Sequence, residues 1–106
     1  MHPVMSSTLS MRIWTHGRDK KEFVTVTDQM TVGEACGRVS PTGLLLPPHL
    51  QTYLAHAHKP CFLQAMTMET VLKDSIQQFT VDKGVDSSIH LFTLHVIYPE
   101  TIQSRL

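Results

Sequence analysis

Two stretches of alternating residues, one near each end of the chain, constrain its fold more than anything between them. Met11-Arg12-Ile13-Trp14-Thr15-His16 runs through a polar turn into Phe23-Val24-Thr25-Val26-Thr27. Val71-Leu72-Lys73-Asp74-Ser75-Ile76 is followed by Ser88-Ile89-His90-Leu91-Phe92-Thr93-Leu94-His95-Val96. Apolar residues recurring every second position mark a half-buried strand. Aromatic and β-branched residues crowd positions 23–27, as strands prefer. Gly17-Arg18-Asp19-Lys20-Lys21 fits a turn, because glycine accepts positive φ and the charges stay in water. A connection this short makes the first two strands an antiparallel hairpin. Its facing stays open: either Phe23 and Thr25 or Val24 and Val26 point inward, since a slip of one residue exchanges the faces. Residues 89–98 read as the clearest strand, with Pro99 ending it.

Between these ends the pattern turns helical. Thr31 can cap a first turn that Glu34 answers three residues on, and Val32, Ala35, Cys36 and Val39 then share one helical face. Pro41 and Gly43 stop that helix early. Leu44-Leu45-Leu46 is expected to be buried, and Pro47-Pro48 forces an extended turn. Residues 50–58 fit helix or strand, and Pro60-Cys61-Phe62-Leu63 can open a further strand. Residues 69–79 offer a short helix anchored by Val71, Leu72, Ile76 and Phe79. No internal repeat stands out.

A chain of 106 residues is one domain by length. Nine basic residues balance nine acidic ones, so there is no long-range pull toward nucleic acid or an anionic membrane. No apolar run is long enough to span a bilayer, and Met1-His2-Pro3-Val4-Met5 lacks the features of a secretory signal. Two cysteines do not make a disulfide framework, which points to reduced thiols in a cytoplasmic or nuclear setting. No nucleotide or cofactor fingerprint is present, so no cofactor is expected.

The order of these signals resembles ubiquitin and its relatives. Met11-Arg12-Ile13-Trp14 is similar to that family's opening strand, and Thr31-Val32 with Glu34-Ala35 to the start of its central helix. Gly43 and Leu46-Pro47-Pro48 are similar to the glycine, isoleucine and paired prolines that leave that helix. Gln51-Thr52-Tyr53-Leu54 resembles the third strand, Val71-Leu72-Lys73-Asp74 the threonine-leucine-x-aspartate turn, and Ser88-Ile89-His90-Leu91 the serine/threonine-leucine-histidine-leucine of the last strand. The resemblance implies an α+β β-grasp: a mixed sheet packed on one main helix, with an inserted segment between the third strand and the late turn. The expected layout is a disordered tail over residues 1–10, the domain over 11–98 and a tail or linker over 99–106. Family modifiers end in two glycines that thread an enzyme channel; Gln103-Ser104-Arg105-Leu106 cannot do this, which implies a non-conjugated domain. Ras-binding and FERM-type modules share the same topology.

The implied function is non-catalytic: an adaptor-like domain that binds a protein partner through an apolar patch on one sheet face. If Ile89, Leu91 and Thr93 fill the core, His90, Phe92 and Leu94 face outward with Leu54 beside them. Arg18, Lys20 and Lys21 make a basic hairpin tip suited to an acidic partner edge. Lys59, Lys73 and Lys83 form no stripe, so no nucleic-acid partner is expected, and no membrane. His56, His58 and Cys61 are metal-binding types, but a structural zinc site needs a fourth ligand and paired spacing, so the plain reading is loop histidines. Neither Cys36 nor Cys61 lies in a catalytic signature, and Cys36 lies on the apolar helix face. The alternative is a small self-associating α+β accessory protein of viral or mobile-element type, whose last strand is an edge that pairs with a second copy.

Overall fold

The computed structural model describes residues 8–16, 20–39 and 49–98. In chain order these form β1 (Thr8–His16), β2 (Lys20–Thr27), α1 (Val32–Gly37), β3 (Gln51–His56), β4 (Lys59–Met66), α2 (Leu72–Lys83), a 3-10 turn at Ile89–Leu91, and β5 (Phe92–Ile97). The five strands make one mixed sheet in the order β2-β1-β5-β3-β4. β1 runs parallel to β5, and every other neighbouring pair is antiparallel. The sheet begins earlier than expected: Thr8 already pairs with Thr27, so residues 8–10 belong to β1 rather than to a tail. The expected proline-rich exit at 41–48, the turn residue Arg18 and the tail at 99–106 lie outside the described residues.

One face of the sheet is closed by the helices. Met11 and Ile13 of β1, Val26 of β2, Leu54 of β3 and Phe92, Leu94 and Val96 of β5 are buried there against Val32, Ala35 and Cys36 of α1 and Leu72, Ile76 and Phe79 of α2. The rings of Phe79 and Phe92 meet edge to face at 5.5 Å, an arrangement that adds to plain burial. The hairpin register is thereby decided: Val24 and Val26 turn inward and Phe23 outward, 57% exposed. The 50–58 stretch is a strand, and the inserted segment is β4, which lengthens the sheet at its edge. Pro60 and Lys59 on β4 suit an edge, because one lacks a ladder donor and the other carries charge into water.

The chain folds as a strand-strand-helix unit made twice, followed by a closing strand. Reciprocal backbone bonds join the two copies. Val32 N–H donates to the Thr70 carbonyl and Leu72 N–H to the Met30 carbonyl, both at 2.8 Å. Gly33 N–H donates to the Met68 carbonyl at 2.9 Å and Lys73 N–H to the Asp28 carbonyl at 3.0 Å. Each helix thus has its unpaired first-turn donors satisfied by the turn that starts the other. Gly33 suits this approach, since a Cβ there would lie 3.2 Å from the Met68 carbonyl oxygen. α1 also carries the expected capping box, with Glu34 N–H donating to Thr31 Oγ1 at 3.2 Å and Thr31 N–H to Glu34 Oε1 at 3.1 Å. The longer helix is α2, which ends at Gly84 with φ 64°.

Candidate functional site

The patch expected on the last strand is inverted. Leu54, Phe92 and Leu94 are fully buried and belong to the core, not to a partner surface. The cause is local. Ser88 N–H donates to Asp86 Oδ1 at 2.7 Å and Leu91 N–H to the Ser88 carbonyl at 3.0 Å, closing a 3-10 turn before the strand begins. Alternation therefore starts at Phe92, and Ile89 and Phe92 both point inward. His90 is exposed on the 3-10 turn, off the sheet. The sequence held the cue: Thr93-Leu94-His95-Val96 repeats the expected last-strand pattern further on, and this copy lies in β5.

Among the described residues the face away from the helices is open and aromatic. Alternation puts Arg12, Trp14 and His16 of β1 on it, with Lys21 and Phe23 of β2, Thr93, His95 and Ile97 of β5, and Tyr53 of β3. Lys20 and Lys21 open β2 at the turn end of the hairpin, and they part to opposite faces. Lys21 sits across from Trp14, its Nζ 4.0 Å from the indole centroid, and the Arg12 guanidinium is 5.0 Å from the Phe23 centroid. Lys20 pairs with Glu22 at 3.1 Å on the helix side.

A tight polar cluster crosses the strands. His16 Nε2 and His95 Nδ1 are 2.8 Å apart, one donating to the other according to tautomer. Trp14 stacks on His16 with centroids 4.4 Å apart and tilts against His95 at 5.2 Å. Burial, then the neighbouring His16 and Lys21, hold the His95 imidazole below its ordinary range, which favours its neutral form. Beside the cluster runs a shallow groove of about 860 Å³, walled by Trp14, His16, Tyr53, Leu63, His95 and Ile97. Leu63 is 58% exposed on this rim.

The other chemical candidates are structural. His56 is buried; its Nδ1 accepts from His58 N–H at 3.0 Å and its Nε2 lies 3.0 Å from the Asp86 carbonyl, so both ring nitrogens are committed. Among the described residues no three histidine, cysteine or carboxylate groups gather to hold a metal. Burial pushes the Cys36 thiol up to about 12, leaving it protonated and inert at neutral pH. Cys61 is exposed on β4.

The architecture is shared with known domains. It is similar to the ubiquitin-like domain of tubulin-binding cofactor B (TM-score 0.60, 11% identity, covering 91% of this chain and 94% of that one). It is also similar to the C-terminal ubiquitin-like domain of mouse tubulin-specific chaperone e (TM-score 0.60, 16% identity, 91% of each chain). A third similar structure is the Hsp90 co-chaperone Cns1 from Saccharomyces cerevisiae (TM-score 0.62, 12% identity, 92% of this chain and 34% of that one). No family model and no curated protein matches the sequence. At these identities the likeness is one of fold: the chain has the ubiquitin-like β-grasp fold.

Proposed function

We propose that this is a non-catalytic interaction domain whose open sheet face docks a protein partner. The observation that carries the reading is the asymmetry of the sheet. Helices cover one face, while the other presents Trp14, Tyr53, His95 and Ile97 around a groove. Aromatic side chains in such a setting are the usual anchors of protein interfaces. The similar structures support it in kind, being domains of a tubulin-binding cofactor and a tubulin-specific chaperone, and part of an Hsp90 co-chaperone. The inert Cys36 and the committed His56 favour docking over catalysis. No helix among the described residues is long and apolar enough to cross a membrane, and a cytoplasmic or nuclear setting belongs to the same proposal.

Self-association through the last strand loses its basis, because β5 is the central strand with β1 and β3 on either side. The test is affinity capture from cells. Proteins that co-purify with the domain should be lost on Trp14→Ala/Tyr53→Ala and kept on Val81→Ala, a change on exposed α2 surface. Retention by the first variant and loss by the second would place docking on the helices instead.

A further inference from the structure

The charges of the open face define its partner more narrowly. Arg12 and Lys21 stand there beside the His16–His95 pair, and among the described residues no carboxylate shares the face. Glu22 is turned to the helix side of β2, where it meets Lys20. Asp74 and Asp82 lie on α2, and the remaining described carboxylates lie on α1 and in the turns. Among the described residues the open sheet therefore carries cations alone, while the helical side mixes its acids with Lys20, Lys73 and Lys83.

Both cations are preorganised. Lys21 Nζ lies over Trp14 and the Arg12 guanidinium over Phe23, so rings hold the charged ends while N–H donors keep capacity for an acceptor. Ring coverage also bears on which anion fits. Nucleic-acid platforms need open rings for bases to stack on. Here His16 stacks on Trp14 and Lys21 lies over it, while Arg12 lies over Phe23. Tyr53, Leu63 and Ile97 instead give the groove an apolar wall.

We propose that the open face docks an acidic peptide segment, its carboxylates meeting Arg12 and Lys21 and one apolar side chain seated in the groove. This rests on the docking-face reading above and names its partner's chemistry. The probe is a short labelled peptide rich in glutamate with one central phenylalanine, titrated with the intact domain by fluorescence anisotropy. Its twin with glutamine for glutamate and a single-stranded oligouridine serve as comparisons. The glutamate peptide should bind, and its twin should bind on the order of tenfold more weakly. Arg12→Gln/Lys21→Gln should lose the difference, whereas Lys73→Gln/Lys83→Gln, with the same change in net charge, should keep it. Equal binding of the two peptides, stronger binding of the RNA, or no binding of either peptide overturns the proposal. So does a concentration-dependent dimer that Arg12→Gln/Lys21→Gln abolishes, since the occupant would then be a second copy. If the peptides fail while Trp14→Ala/Tyr53→Ala still abolishes cellular capture, the acidic chemistry is wrong and the face is right. If capture also survives, the face itself is wrong.

Discussion

At Phe92 the backbone leaves a 3-10 turn and enters a strand, and that change decides which side chains of β5 reach the open face. Phe92 is fully buried, with Phe79 and His56 edge-on to its ring at 5.5 and 4.7 Å. Phe92→Ala should therefore cost about 3–5 kcal/mol in urea unfolding through the transfer and cavity terms together. Trp14→Ala, on the open face, should cost much less; equal losses would mean that the sheet has no open face. His95 gives a prediction of opposite character. Its folded pKa lies below the ordinary histidine value, through burial, His16 and Lys21. The unfolded chain then takes up a proton that the folded chain resists, so stability is full above about pH 6.5 and declines as pH falls toward the folded value. Urea midpoints measured from pH 7.5 downward should show this decline, and His95→Phe should flatten it. At this scale the inward set of β5 was hidden because Ser88-Ile89-His90-Leu91 carries the alternation of a strand; the Asp86–Ser88 bond that bends it into a turn is not a periodic signal.

Elements differed in how plainly their sequences announced them. α1 was legible because its capping box is a local motif, Thr31 and Glu34 three residues apart, and its bonds form as expected. Thr31→Ala should cost about 1 kcal/mol, read as a shift in the urea midpoint. β3 was not legible, since Leu50, Tyr53, Leu54 and Ala57 also have helical spacing; pairing with β5 and β4 settles it as a strand. The doubled strand-strand-helix unit was missed altogether. Buried Val32, Cys36 and Val39 correspond to Leu72, Ile76 and Phe79, and Glu34 to Asp74, but few identities survive to show it. What the two copies share is a pattern of backbone bonds, which side chains record weakly. α2 ends at Gly84 in the left-handed region, and Gly84→Ala should destabilise by about 1 kcal/mol, again checked by urea unfolding.

For the whole molecule, the β-grasp topology was legible as an order of weak signals, none decisive alone. The functional face was not, because a sheet's two faces exchange with one residue of register. The structure puts Trp14, Tyr53, His95 and Ile97 on the open face and Leu54, Phe92 and Leu94 in the core. Rings hold Arg12 and Lys21 on the open face, and the described carboxylates lie off it. The most direct test is site-specific photocrosslinking in cells. A photoreactive residue replacing Tyr53 on the open face is compared with one replacing Gln78, exposed on α2. The account predicts partner adducts from position 53 that vanish when Trp14→Ala is added, and few from position 78. Adducts mainly from position 78, unchanged by Trp14→Ala, would contradict it.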